Sequence, residues 1–198
     1  MGMISGLLRT LVMLSVLGGG GAIVLAKQAP SLAEGLAPVA ISAEAAASFD
    51  RKIETLNAAV AEAKKTGKAQ PVEVTFTDQE LTSKANSVGS AVNDSGLATA
   101  DTQVHLTGGN LVAVSTVTIQ GMPINVAIVA APVVVDGRTK VTIKELQTGA
   151  LPIPDLLKQP LSTQLGHAID PKRLGLPIEV TSLTILEGKL IIRGQAKP

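Results

Sequence analysis

Residues Val104–Pro154 read VHLTGGNLVAVSTVTIQGMPINVAIVAAPVVVDGRTKVTIKELQTGALPIP. Apolar residues alternate with polar or small ones. Turn signals interrupt the run at Gly108-Gly109-Asn110, at Gly121-Met122-Pro123 and at Asp136-Gly137. This pattern predicts an antiparallel meander with one apolar face. Val104 and Leu106 start that face. Leu111, Ala113, Val117 and Ile119 continue it, then Ile124, Val126, Ile128 and Ala130, then Val141, Ile143 and Leu146. The step from Ile143 to Leu146 breaks strict alternation. Pro132 predicts a bulge or an edge position.

Downstream, Leu151-Pro152-Ile153-Pro154 predicts a stiff exit from the sheet. Leu156, Leu157, Leu161, Leu165, Ala168 and Ile169 mark an amphipathic helix that Pro171 ends. A closing hairpin is expected from Ile178 to Leu186 and from Lys189 to Gly194, turning at Glu187-Gly188. Val180 and Leu183 are three apart, so a bulge is expected near Thr181-Ser182.

Upstream, Val72, Val74 and Phe76 alternate with Glu73, Thr75 and Thr77 and predict a strand. Thr77-Asp78-Gln79-Glu80 is a capping box for a short helix bearing Leu81, Ala85 and Val88. Asn93 to Ala100 reads as a loop. Ser42 can cap a longer helix running to about Lys65, with Gly67 as its stop. Its apolar stripe is Phe49, Ile53, Leu56, Val60 and Ala63; Arg51, Lys52, Glu54, Glu62 and Lys64 take the opposite, wet face. Such a helix lies on a domain or acts as a stalk; the alternative is a lid or partner-binding helix. Lys27 to Val39, with Pro30, Gly35 and Pro38, reads as a tether.

Residues 1–26 carry Arg9 and then the uncharged run LVMLSVLGGGGAIVLA. Two readings stand: a signal peptide cut after Ala26, and an uncleaved membrane anchor, which is preferred. Both place the remaining chain outside the cytoplasm, secreted in the first case and single-pass in the second. The expected division is 1–26 as targeting segment, 27–70 as tether and amphipathic helix, and 71–198 as an antiparallel α+β domain.

Composition narrows the chemistry. The formal net charge is +1, so no strong field steers the chain toward nucleic acid. The chain has no cysteine, hence no disulfide, thiolate metal site or cysteine nucleophile. Phe49 and Phe76 are its only aromatic residues, which argues against base or sugar stacking. His105 alternates with apolar neighbours and is expected on a solvated face. His167 has no carboxylate at metal-ligand spacing. No HExxH, GxSxG or phosphate-loop motif occurs, so no catalytic residue, metal or cofactor is assigned.

The order of elements, with VEVTFTDQELTSKAN, the Asp136-Gly137 turn, Gly149-Ala150-Leu151-Pro152 and LGLPIEVTSLTILEGKLIIRG, resembles bacterial envelope proteins of the LmeA and YpmS type over about Val72 to Gly194. The resemblance implies a TULIP-like fold: a curved antiparallel sheet wrapped around a helix, with a lipid tail held between them. It implies a phospholipid or isoprenoid-like lipid partner and no catalysis.

The residues lead the same way on their own, less specifically. A sheet with one apolar face must be covered. The helix at 156–169 can cover it alone, or leave room for an acyl chain. The expected apolar lining is Val117, Ile119, Val126, Ile128, Val141, Ile143, Leu161 and Leu165. The alternative is a solid-cored structural or protein-interaction module of the envelope; no protein partner is assigned.

Overall fold

A computed structural model describes residues 30–89, 98–119, 122–135, 138–149, 151–152 and 178–198; at 88–89, 98–99, 117–119, 122, 138 and 151–152 the description covers the backbone only. The helix expected at 156–169, His167 and the Asp136-Gly137 turn lie outside the described residues. The described chain is α+β, with two helices and two antiparallel sheets. The first correction is here: the strands divide into two sheets rather than forming one.

The smaller sheet joins distant ends of the chain. Strand β1 (Gln70–Thr77) pairs with β8 (Lys189–Ala196), which pairs with β7 (Ile178–Leu186). The expected β7–β8 hairpin is present, and β8 runs two residues beyond Gly194. Its bulge falls where the spacing of Val180 and Leu183 predicts it, at the register shift between Val180 and Ser182. Gly194 is required there, because a Cβ would stand 2.4 Å from the Glu179 carbonyl oxygen.

Helix α1 (Ala43–Thr66) covers one face of this sheet. Ser42 caps it, its Oγ accepting from Ala45 N at 3.0 Å, and Gly67 ends it at φ 65°. The expected stripe makes the contact. Phe49 packs with Val74 and Phe76, and Val60 and Ala63 pack with Ile178, Val180 and Ala196. So the helix lies on the domain. Val134, from the larger sheet, reaches the second of these clusters.

The larger sheet is the meander: β2 (Ala98–Thr107), β3 (Asn110–Ile119), β4 (Met122–Val135), β5 (Arg138–Thr148) and a two-residue β6 (Leu151–Pro152). Gly108 and Gly109 both have positive φ, as a two-residue turn between β2 and β3 requires. β2 begins earlier than expected. Ala98 to Ala100 are strand rather than loop, because a bulge at Asp101-Thr102 restores pairing with β3. A second register shift, opposite Val129-Ala130, accounts for the broken alternation before Leu146. Pro132 lies beyond the last β3 pair, Leu111–Ala130, so its missing N–H leaves no bond unmade on that side. Leu151-Pro152 does not leave the sheet at once: past Gly149, at φ 58°, it turns back onto β5.

Two devices protect this sheet. Helix α2 (Asp78–Gly89) seals the outer edge of β2. Its residues Asp78, Thr82 and Asn86, spaced by four, meet alternate strand residues. Asp78 Oδ1 accepts from Leu106 N at 3.0 Å. Thr82 Oγ1 accepts from Val104 N at 2.9 Å and donates to Val104 O at 3.3 Å. Asn86 accepts from Thr102 N at 3.1 Å and donates to Thr102 O at 2.6 Å. Leu106 O accepts from Gly188 N at 2.8 Å. These groups substitute for a neighbouring strand and remove an open edge.

The second device is the segment read as a tether. It lies as a strap across the outer face of the meander. Gln103, Val114, Ala127 and Gln147 form one cross-strand row over β2, β3, β4 and β5. The row is gripped at both ends. Leu32 N donates to Gln147 Oε1 at 3.2 Å, and Val39 N donates to Gln103 Oε1 at 2.7 Å. Pro30 is fully buried, and so is Ala127 at the row's centre.

Candidate functional site

The register places the apolar residues of the meander on one face. Ala113 pairs with Val104 on one side and Ile128 on the other, and Ile128 pairs with Leu146. Beyond the shift, Ala130 pairs with Ile143 and Pro132 with Val141. Of the expected lining, Val126, Ile128 and Ile143 are buried on this face and Val141 is half-buried. Val117 and Ile119 pair in register with Ile124 and Met122, and their side chains lie outside the description. Leu161 and Leu165 lie outside the described residues.

Four further residues belong with this set: Val104, Leu106, Ile124 and Leu146, all buried. Their alternation was visible in the sequence, but nothing in it ranked them above their neighbours. A polar spot was not foreseen. Thr102 and Ser115 are buried in this face and share a hydroxyl–hydroxyl bond of 2.8 Å, and Ser115 also donates to Ala100 O at 3.3 Å. The bulge at Asp101-Thr102 brings the two hydroxyls together. Each satisfies the other, so burial leaves neither polar group unpaired.

This face offers apolar contact and little else. Apart from Thr102 and Ser115 its side chains are aliphatic, without a titratable group among the buried residues named. Burying a methylene contributes about 0.8 kcal/mol. An acyl chain of about fourteen methylenes would gain roughly 11 kcal/mol, within the range of about 4–15 kcal/mol that association costs in lost freedom.

The buried charged groups sit elsewhere and hold elements together. Glu80, expected as the capping-box partner, accepts from Thr77 N at 2.9 Å. It also takes Ser48 Oγ and Lys52 Nζ, and Lys52 donates as well to Thr75 O at 2.6 Å. Lys52 thus corrects its expected place on a wet face: it ties α1 to β1 and α2. Burial pushes the Glu80 carboxyl up, but the hydrogen bonds from Lys52, Ser48 and Thr77 outweigh it and hold the group below the ordinary glutamate range. Asp78 goes the other way. Burial raises it above the ordinary aspartate range, against the lowering effect of the Leu106 N–H and His105.

His105 is a further correction. Only 9% of it is exposed, although it alternates with apolar residues as a surface residue would. Gln103, two residues along β2 on the same face, holds the strap, and Asp78 is close enough to interact electrostatically, so the outer side of β2 is covered too. Among the described residues, no group of three or more His, Asp or Glu side chains is placed to hold a metal, and no helix is long and apolar enough to cross a membrane.

An open α+β scaffold with an aliphatic sheet face suits an apolar ligand, and the comparison by family agrees. The model of the LmeA-like phospholipid-binding family matches residues 36–195, and the chain belongs to that family. The match begins well before β1 and includes α1 and the end of the strap. Comparisons with the curated proteins and with the solved structures returned no match.

Proposed function

We propose that this protein holds or passes a membrane lipid, with an acyl chain seated on the aliphatic face of the meander and covered by helix. The lipid is a phospholipid or an isoprenoid-like molecule, and no bond is made or broken. Residues 1–26 place the protein at a membrane, with the domain outside the cytoplasm. The observation that carries this reading is the shared face of Val126, Ile128, Val141 and Ile143 in a chain of a phospholipid-binding family. Native mass spectrometry of the full chain tests it. Co-purified lipid, or lipid taken up from vesicles, is the expected result. Repeated absence of both would falsify the reading.

A second reading has one observation in its favour. Leu106, Val126 and Leu146 are at most 1% exposed. Burial that complete suits a solid core, with the protein acting as an interaction module of the envelope. The same measurement separates the two.

A further inference from the structure

One row of the aliphatic face is hydroxylated. Ser115 and Thr148 both pair with Val126, and Thr102 joins Ser115 from the bulge in β2 through their 2.8 Å hydroxyl–hydroxyl bond. Thr102 and Ser115 are 2% and 4% exposed, and Thr148 is half-buried. On one side of this row the next is aliphatic throughout, Val104, Ala113, Ile128 and Leu146, and the one after it continues through Ala130 and Ile143. Further along β4, Val134 packs against the cluster that α1, β7 and β8 share. Val126 and Val134 are eight residues apart, ~26 Å along the strand. The face thus has a polar row at one level and a long aliphatic run from there to a covered end.

Stability does not call for these hydroxyls. Replacing both partners of a buried hydrogen bond by apolar groups of the same shape can be nearly neutral. Yet Thr102 is held in place from behind: Asn86 accepts from its N–H at 3.1 Å and donates to its C=O at 2.6 Å, which fixes where its side chain enters the face. The pair also has hydrogen-bonding capacity in reserve. Two hydroxyl hydrogens serve three acceptors, Thr102 Oγ1, Ser115 Oγ and the Ala100 carbonyl oxygen, the last at 3.3 Å. When Ser115 donates to Thr102 instead of to Ala100, the Thr102 hydrogen is released for one further acceptor. An uncharged acceptor suits this place, because no titratable group is among the buried residues described on this face and a buried ion would go uncompensated. The carbonyl of an ester is such an acceptor, and it stands at the head of an acyl chain. An isoprenoid hydrocarbon has none along its length.

We propose that Thr102 recognises the ester of an acyl lipid. Its hydroxyl donates to the ester carbonyl, and the chain runs from there along β4 toward Val134. Ser115 holds the Thr102 hydroxyl when no lipid is bound, so the empty face leaves no polar group unpaired. The proposal rests on the lipid-binding reading and narrows it to ester-linked lipids.

The test offers the full chain vesicles made of equal parts diacyl and dialkyl phosphatidylcholine with chains of the same length. The two lipids share headgroup and tails, and the ether-linked one lacks the carbonyl. Native mass spectrometry separates them by mass and reads both occupancies. Diacyl lipid in several-fold excess over dialkyl lipid is expected. Equal occupancy in the parent chain overturns the proposal without recourse to any variant. Thr102→Val keeps the shape and removes the donor, and is expected to bring the ratio to one; a ratio unchanged from the parent chain overturns the role of Thr102. Ser115→Ala leaves the Thr102 hydrogen free for the lipid and is expected to keep the preference. Loss of preference in both variants alike overturns the assignment of the donor to Thr102. Uptake of neither lipid by the parent chain removes the lipid-binding reading and the proposal together, whereas equal uptake of both removes only the ester recognition, so the two failures are distinguishable.

Discussion

The Thr82 hydroxyl bonds both backbone polar groups of Val104, accepting from its N–H and donating to its carbonyl oxygen. One side chain thereby closes a full repeat of strand edge. Thr82→Val keeps the shape and removes both bonds. Leaving a buried polar group unpaired costs about 1–3 kcal/mol, so a loss of ~2–4 kcal/mol is expected in urea unfolding. Thr82→Ser keeps the hydroxyl and loses a methyl group, at a cost of about 1 kcal/mol. Equal losses in the two variants would show that the edge bonds contribute nothing.

Asp78 and Glu80 give opposite pH signatures from one helix start. The folded-state pKa of Glu80 is depressed, so its contribution is present above the unfolded value and is lost as pH falls through the folded one. Glu80→Gln should flatten the acid limb of a stability-against-pH curve. Its cost at neutral pH should fall below the ~3–5 kcal/mol of a fully buried pair, because the Lys52 side chain is 32% exposed. Asp78 is raised, so its stabilising effect is present below the unfolded value and is lost as pH rises through the folded one. Asp78→Asn keeps an acceptor for Leu106 N and should gain stability relative to the parent chain at pH 7 compared with pH 3. Unfolding midpoints across this range check both signs.

Gly194→Ala and Gly67→Ala separate crowding from backbone strain. At 194 the new methyl meets the Glu179 carbonyl oxygen, and overpacking of this kind costs about 1–3 kcal/mol or more. At 67 the space is open, and only the left-handed conformation is penalised, at about 1–2 kcal/mol. Loss of the β7–β8 bulge should also appear as changed amide exchange at 179–182 in the first variant alone.

Ala127→Leu tests the strap at its narrowest place. Ala127 is fully buried between Val114 and Gln147 in the row that the strap crosses. A larger side chain there should lift residues 30–39. Faster hydrogen exchange across that segment is expected, with β3 and β4 unchanged.

Val126→Trp distinguishes a face shared with lipid from a filled core. Where lipid occupies the space, the indole displaces it: lipid occupancy falls and the unfolding midpoint barely moves. In a filled core the same change costs about 1–3 kcal/mol. Occupancy by native mass spectrometry and midpoint by urea are read on the same sample, and the first outcome is expected.

Local features were legible in the sequence. The Ser42 and Thr77 caps, the α1 stripe, the Gly108-Gly109 turn and the bulge near Thr181-Ser182 all depend on neighbours a few residues apart, and spacing alone expresses them. The division into two sheets was hidden because β1 and β8 meet across most of the chain. The strap was hidden for the same reason: Val39 and Gln103 are 64 residues apart, and Leu32 and Gln147 are 115 apart. Proline and glycine in that segment signalled irregular backbone, and irregular backbone can bind as well as dangle. His105 and Lys52 misled because polarity predicts exposure only while no partner element arrives. The edge seal did leave a signal: Asp78, Thr82 and Asn86 form a polar stripe at helical spacing. Of the proposed lipid-lining residues, the register unites six on one face, since alternation is what defines a face.

The strap also orders events in time. Residues 30–39 leave the ribosome before any of β2 to β5 exists, yet their partners are Gln103 and Gln147. Contacts at such separation form slowly, because a long loop must close first. The strap, made early, therefore waits for partners that are made much later. Until β5 has joined the sheet, the row around Ala127 stands bare, and anything that binds nascent apolar surface has that interval in which to act.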